Sequence, residues 1–253
     1  MNRIPLIVGN WKMYKTSAEA CAFIAALTPK IASVATLRRV FLAAPFTAIQ
    51  AASECAAAAG GQIAVGGQNM HDLPEGAWTG EISAQMLKGS GASFVLLGHS
   101  ERRTFFAETN SFIQRKLLRA LQEGLIPILC IGEQLHEREG GSHEDVLRAQ
   151  LEECLQGIDP LQTSRVAIAY EPVWAIGTGK TATPETAQSV HRFIRTWLEG
   201  RFGPECAEKM RLLYGGSVKP DNIAQLMQQP DIDGVLVGGA SLDVNAFAQI
   251  VNY

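Results

Sequence analysis

The sequence predicts an α/β fold: an eight-stranded parallel (β/α)8 barrel, built as a single domain over residues 1–253. Three observations predict it. Short, apolar, β-branched runs recur eight times along the chain. Segments of helical period lie between them. The length of 253 residues matches the ~250 that such barrels use. Continuously apolar strands separated by helices imply a parallel sheet covered on both faces. Eight units favour closure, with an open doubly wound sheet as the alternative. No linker, composition break or low-complexity tract marks a second domain.

The eight runs are residues 4–8, 40–44, 63–65, 94–97, 126–131, 166–170, 212–214 and 235–237. Between them, Ile113, Leu117, Ala120 and Leu121 fall on one helical face. Ala187, Val190, Ile194, Trp197 and Leu198 form a second such face, and Val244, Phe247 and Val251 a third. Thr16 and Glu19 have the spacing of a capping box. Thr183 before Pro184 reads as an N-cap followed by proline at the first helical position. Gly124 stops a helix just before the fifth strand.

Lys plus Arg is 22 and Asp plus Glu is 25, a formal net charge of −3. That balance gives no push toward nucleic acid or an anionic membrane, and no long apolar run predicts a membrane span. An anionic ligand must be held locally, by a few placed groups. Cys21, Cys55, Cys130, Cys154 and Cys206 lie far apart, odd in number and without a C-x-x-C pair. The expectation is reduced thiols in a soluble cytoplasmic protein, with neither a disulfide frame nor a metal site.

In a barrel of this kind, chemistry sits on the loops that leave the C-terminal ends of the strands. Strand 1 exits into Gly9-Asn10-Trp11-Lys12, strand 4 into Gly98-His99-Ser100-Glu101-Arg102-Arg103, and strand 6 into Glu171-Pro172-Val173-Trp174. Strand 7 exits into Gly215-Gly216-Ser217 and strand 8 into Gly238-Gly239-Ala240-Ser241. Pro172 biases Glu171 toward extended backbone, and a carboxylate held there can act as a general base. His99 is a candidate electrophile or proton shuttle. Lys12 is the cation of the first exit, and Asn10 can orient a substrate oxygen. The glycine pairs let backbone N–H groups approach an anion closely. Each feature alone also has a plain reading: a salt-bridged Glu, a structural His, a solvated Lys, a turn-capping Asn, ordinary tight turns. Gly179-Lys180-Thr181 is no nucleotide-binding loop, because Trp174 stands where that motif needs glycine. The segment 175–183 reads instead as a lid over the site.

These exits resemble the signature segments of the triosephosphate isomerase family. The segments are Gly9-Asn10-Trp11-Lys12-Met13, the strand 4 exit from Gly98 to Arg103, Tyr170 through Gly179, Tyr214-Gly215-Gly216-Ser217-Val218, and Gly234 through Leu242. They occur in the family's order, and the resemblance runs from about residue 3 to the C-terminus. It implies a TIM barrel that interconverts dihydroxyacetone phosphate and D-glyceraldehyde 3-phosphate without metal or cofactor, in glycolysis and gluconeogenesis. It implies roles as well. Glu171 abstracts the carbon-bound proton, His99 polarises the carbonyl and shuttles protons, and Lys12 supplies positive charge. Asn10 positions the substrate, while Gly177, Ser217, Gly238 and Gly239 hold the phosphate. Glu101 orients Lys12. The family is itself the standing example of a glutamate base beside a neutral histidine, so that pairing comes through the resemblance. It implies a homodimer too, formed through the loop from Gln68 to Glu81, with Thr79 near the neighbour's site and with Met70, Leu73 and Trp78 exposed for the contact. His71-Asp72-Leu73-Pro74 and Tyr14 depart from the family's usual pattern. Two other readings stand beside the isomerase: another phosphate-binding barrel enzyme, and a catalytically silent barrel.

Overall fold

The computed structural model describes residues 3–175 and 182–253. Eight strands, β1 (Leu6–Asn10), β2 (Arg39–Ala43), β3 (Ile63–Gly67), β4 (Phe94–Leu97), β5 (Ile126–Ile131), β6 (Ala167–Tyr170), β7 (Arg211–Tyr214) and β8 (Gly234–Val237), follow one another around a closed parallel barrel. Closure is made by β8 pairing back onto β1, Leu6 opposite Gly234 and Gly9 opposite Val237. Every expected strand is present. The first starts two residues later than its apolar run, because Pro5 has no N–H for a ladder. Its carbonyl still accepts from the Arg39 amide at 2.9 Å.

Helices wrap the barrel: α1 (Ser17–Ile31), α2 (Ile49–Ala58), α3 (Ala84–Gly89), α4 (Ser100–Phe105), α5 (Asn110–Glu123), α6 (Leu135–Glu139), α7 (His143–Cys154), α8 (Pro184–Phe202), α9 (Pro204–Lys209), α10 (Ile223–Met227) and α11 (Val244–Val251). The caps read from sequence are formed. Thr16 and Glu19 make a reciprocal capping box, Thr183 accepts from the Thr186 amide, and Gly124 ends α5 at φ 86°, a left-handed conformation that costs glycine little. Ile113, Leu117, Ala120 and Leu121 are buried on α5, and Ala187, Val190, Ile194 and Leu198 on α8.

The strands sort their side chains onto two cores. Ile7, Leu42, Val95, Leu129, Ile168 and Val235 face outward under the helices. Val8, Ala43, Leu96, Cys130, Ala169 and Leu236 fill the barrel interior, with Leu6, Phe41, Phe94, Ala167 and Leu213. The interior is therefore packed rather than a pore, and any ligand must sit at one mouth or the other.

Three sequence readings are corrected here. Cys21 and Cys55 are joined in a disulfide between α1 and α2, against the expectation of reduced thiols throughout. The pair is 34 residues apart, and only the side-by-side wrap of the two helices brings it together. Cys130, Cys154 and Cys206 are free. Met70 is fully buried in the outer core rather than exposed, while Leu73 and Trp78 are exposed as expected. Lastly, the stretch Ser17–Val34 is long and apolar enough by composition to cross a membrane. In this fold its Ala20, Phe23, Ile24, Leu27 and Ile31 are buried against the barrel.

Candidate active site

The C-terminal ends of the strands surround a cavity of about 340 Å³ whose lining includes Asn10, Lys12, His99, Glu171, Ser217, Gly238 and Gly239. Residues from five exits, far apart in the chain, thus share one concavity. Thr79 is exposed and lies outside this lining. Gly177 and the tip of the expected lid lie outside the described residues.

Glu171 is held by its backbone first. Its amide donates to the Ile131 carbonyl at 2.7 Å, and the Gly215 amide donates to the Tyr170 carbonyl at 2.7 Å. Gly132, at the end of β5, lies so close that a Cβ there would stand 1.8 Å from the Glu171 carbonyl oxygen. Only glycine fits, and the contact fixes where β6 ends. The carboxylate is 2% exposed. Its Oε2 accepts from the Ser100 amide at 2.9 Å, a first-turn N–H of α4 that has no partner inside the helix. Its Oε1 is 3.0 Å from His99 Nε2.

His99 is the N-cap residue of α4, and its Nδ1 accepts from the Glu101 amide at 3.2 Å. An Nδ1 that accepts carries no proton, so the imidazole is neutral and its N–H sits on Nε2, aimed at Glu171. The Glu101 carboxylate is 3.6 Å from the same Nδ1. Its charge is met by Lys12, whose Nζ is 2.5 Å from Glu101 Oε1.

Lys12 has φ 52°, a left-handed backbone that a residue with a side chain rarely adopts. Such strain costs about 1–3 kcal/mol and persists only where neighbours enforce it. Two do: Asn10 Oδ1 accepts from the Lys12 amide at 3.0 Å, and Gln68 Nε2 donates to the Lys12 carbonyl at 2.9 Å. Asn10 therefore shapes the lysine's position as well as lining the cavity.

The glycine exits complete the rim beside these groups. A 3-10 turn, Gly239–Leu242, begins at the rim. Its leading amides have no carbonyl one turn back to bond. Open space faces Gly239, and a Cβ on Gly238 would stand 3.6 Å from Lys12 Cε. Asn222 Nδ2 fixes the Ser217 carbonyl at 2.9 Å. Trp11 Nε1 donates to the Ser241 carbonyl at 3.2 Å, tying the first exit to the last. The arrangement offers an acceptor base, a neutral N–H donor and an ammonium around one cavity, with glycine amides beside the ammonium for an anion.

Sequence reasoning missed four contributors. Gln68, in sequence only the start of a loop, donates to the Lys12 carbonyl. Lys219 also lines the cavity, four residues after Gly215. Gly132 supports Glu171 from behind. Glu133, fully buried, accepts from Tyr170 Oη at 3.0 Å and from Trp174 Nε1 at 2.8 Å. Burial, then the Glu133 charge, hold the Tyr170 phenol far above its ordinary pKa. The signal was present, since Gly132-Glu133 is itself a polar strand exit. Beneath the base lies Cys130, its thiol pushed well up by burial and by Glu171.

Comparison with known proteins agrees with this geometry. The sequence model of the family described as triosephosphate isomerase matches residues 5–253. A triosephosphate isomerase of Protochlamydia amoebophila is 49% identical over 251 residues, covering 99% of this chain and 94% of its own. One from Solibacter usitatus is 50% identical, covering 99% and 100%. One from Carboxydothermus hydrogenoformans is 51% identical over 249 residues, covering 98% of each.

Proposed function

From the premise that this chain belongs to the triosephosphate isomerase family, we propose that Glu171, His99 and Lys12 carry its reaction at the C-terminal mouth. The enzyme interconverts dihydroxyacetone phosphate and D-glyceraldehyde 3-phosphate, a step of glycolysis. In our reading Glu171 removes the proton from the carbon beside the carbonyl, leaving an enediolate. His99 Nε2–H donates to the carbonyl oxygen and recovers a proton from the neighbouring hydroxyl, and Glu171 returns its proton to the adjacent carbon. A neutral imidazole suits this work because its N–H is nearer in acidity to the enediol than an imidazolium would be. Lys12 offsets the negative charge that grows on the oxygens.

The observation that supports these roles most directly is the 3.0 Å approach of His99 Nε2 to Glu171 Oε1 inside the cavity that Lys12 also lines. In this state the base is occupied by Ser100 and His99. Substrate must take the histidine's N–H for its own oxygen, which releases Glu171 toward the carbon. Asn10 orients the substrate, and Ser217, Gly238, Gly239 and Gly177 hold the phosphate, Gly177 on the resemblance alone. Acid–base catalysis supplies ~10²–10⁴ in rate, and fixed charge around the oxyanion supplies much of the rest.

We read the active form as a homodimer through the loop from Gln68 to Glu81. Leu73 and Trp78 are exposed on it, and Trp78 is braced on His71 with ring centroids 4.8 Å apart. Beside the cavity a groove of about 440 Å³ is walled by Met13, Tyr14, Phe46 and Phe106. All four are exposed, which suits a neighbour's loop carrying Thr79 to the site. We place the enzyme in the cytoplasm, beside the rest of its pathway.

A coupled assay on glyceraldehyde 3-phosphate, with no metal or cofactor added, tests the reading. Robust turnover that vanishes in Glu171→Gln supports it. Turnover that survives the substitution removes Glu171 from the mechanism.

A further inference from the structure

The opposite mouth of the barrel holds a second concavity, of about 350 Å³. Its lining includes Leu6, Arg39, Ile126, Ala167 and Arg211, the first residues of β1, β2, β5, β6 and β7. It is therefore the N-terminal mouth, separated from the catalytic cavity by the packed interior. Leu6, Phe41 and Ala167 form an apolar floor, and Phe41 is stacked on Phe94 with centroids 4.6 Å apart.

Three arginines line this hollow: Arg39 from β2, which is exposed, and the half-buried Arg165 from the turn before β6 and Arg211 from β7. Among the described residues none of the three has a carboxylate within ion-pair distance. Arg211 Nε donates to the Ile4 carbonyl at 3.0 Å, and Arg165 reaches the Leu121 carbonyl at 3.5 Å. Among the described residues these bonds leave most of the Arg165 and Arg211 N–H forks unused. The nearest buried carboxylate, Asp233, is consumed by Arg3 at 2.5 Å, by Arg195 at 2.6 Å and by the Leu212 amide at 2.8 Å. Burial and the neighbouring Arg39 push the Arg211 guanidinium below its ordinary pKa, with Asp233 opposing and Arg3 adding to the push. Arg39 and Arg3 thus repel the Arg211 charge. A chain of net charge −3 has thus gathered unmatched positive charge at one concave place.

We propose that the N-terminal mouth binds a small organic polyanion, with two or more carboxylate or phosphate groups on a compact apolar body, independently of the triose phosphate site. Planar guanidiniums bind such groups with paired, charge-assisted hydrogen bonds. The Ser164 hydroxyl on the rim adds a further donor, and the apolar floor takes the ligand's body. A membrane or nucleic acid fits less well, because the charges gather around one small concavity instead of spreading over a face.

The test is calorimetric titration of the full chain at low salt with benzene-1,3,5-tricarboxylate. The catalytic site is kept filled by an equilibrated mixture of the two triose phosphates. Saturable binding of one ligand per chain is expected, unaffected by the triose phosphates. The Arg39→Gln/Arg165→Gln variant should bind about tenfold or more weakly while keeping wild-type kcat and KM, which shows that it is folded. Inorganic pyrophosphate, which has charge without an apolar body, should bind more weakly than the tricarboxylate. No saturation up to about 10 mM, equal affinity in the double variant, or displacement by triose phosphate each overturns the proposal. Equal affinity for pyrophosphate overturns the role of the apolar floor. Loss of triose isomerisation in wild-type chain bears only on the catalytic reading and leaves this result standing.

Discussion

The two mouths of the barrel enclose similar volumes, about 340 Å³ above and about 350 Å³ below, yet they treat charge in opposite ways. At the C-terminal mouth Lys12, His99 and Glu171 are matched, while Lys219 on the rim has no ion pair among the described residues. Lys12 meets Glu101 at 2.5 Å, His99 meets Glu171 at 3.0 Å, and Ser100 caps the same carboxylate at 2.9 Å. At the N-terminal mouth three arginines line one hollow with no carboxylate in ion-pair distance among the described residues. The upper groups hang from loops and need supports such as Gln68 and Gly132. The lower ones stand on or beside the strand starts and need none. The difference teaches what each end is fitted for. A matched site stores its reactive groups in contacts that a substrate must replace one by one, which is how geometry becomes selective. An unmatched site only awaits the opposite charge.

Removing the base should break the upper mouth and leave the lower one unaltered. Glu171→Gln is expected to cut kcat by ~10²–10⁴. Glu171→Asp, which withdraws the carboxylate by ~1 Å, should cost ~10² in kcat with little change in KM. Steady-state kinetics check both. Tricarboxylate binding below should match wild type in each, and a change there would mean that the two mouths are coupled.

The next effect concerns a support of the upper mouth. His191 on α8 is fully buried between the rings of Tyr170 and Tyr214, the last residues of β6 and β7. Its Nδ1 is 3.0 Å from the Asp231 carbonyl, so the proton sits on Nδ1 of a neutral ring. Burial is the chief reason that its pKa falls to about 4. The unfolded chain, near 6.5, then binds the proton that the folded chain refuses. Stability from this group is complete above pH 6.5 and is lost as pH falls toward 4, by about 3 kcal/mol in all. Urea unfolding across that window should show the acid slope in wild type and a shallower one in His191→Gln. Equal slopes would remove His191 as a cause.

How much of this was legible in the sequence follows the same division. The upper mouth could be read because chemistry clusters at strand exits, where Gly-His-Ser-Glu or Glu-Pro interrupts an apolar run. Glu133 followed the same rule and was overlooked because its work is structural and its partners, Tyr170 and Trp174, lie 37 and 41 residues away. The lower mouth could not be read at all. Arg39, beside Arg38, and Arg211 stand at strand starts, a common place for a solvated arginine, and only closure in register brings them to one mouth. Cys21–Cys55 was hidden for the same reason, since the contact belongs to helix packing. Met70 looked exposed because it sits in a polar loop, but that loop folds back and buries it.

A smaller effect probes the Glu133 support. Tyr170→Phe deletes one of the two hydrogen bonds that Glu133 Oε1 accepts, leaving the ring's packing intact. The expected loss is about 1 kcal/mol of stability, measured by urea unfolding. A loss in kcat beyond that of a simple stability change would show that Glu133 also positions Glu171, one residue further along. An unchanged midpoint would mean that Trp174 and Arg138 suffice for the carboxylate.

The smallest effect is the one that most sharply separates the mouths, because its sign is unusual. Most substitutions of a charged residue in a fold lose stability or change nothing. If the lower arginines repel one another without a partner, Arg39→Gln should instead raise stability, by about 0.2–1 kcal/mol at low salt, and the gain should shrink as salt screens the repulsion. Adding the tricarboxylate should reverse the order, since a ligand that binds only the folded state stabilises it in proportion to its affinity and wild type binds more tightly. Two unfolding curves per protein, with and without ligand, therefore give a crossing pattern that no packing effect of residue 39 produces. A variant less stable than wild type under both conditions would mean that Arg39 is already compensated, and that the lower mouth is matched after all.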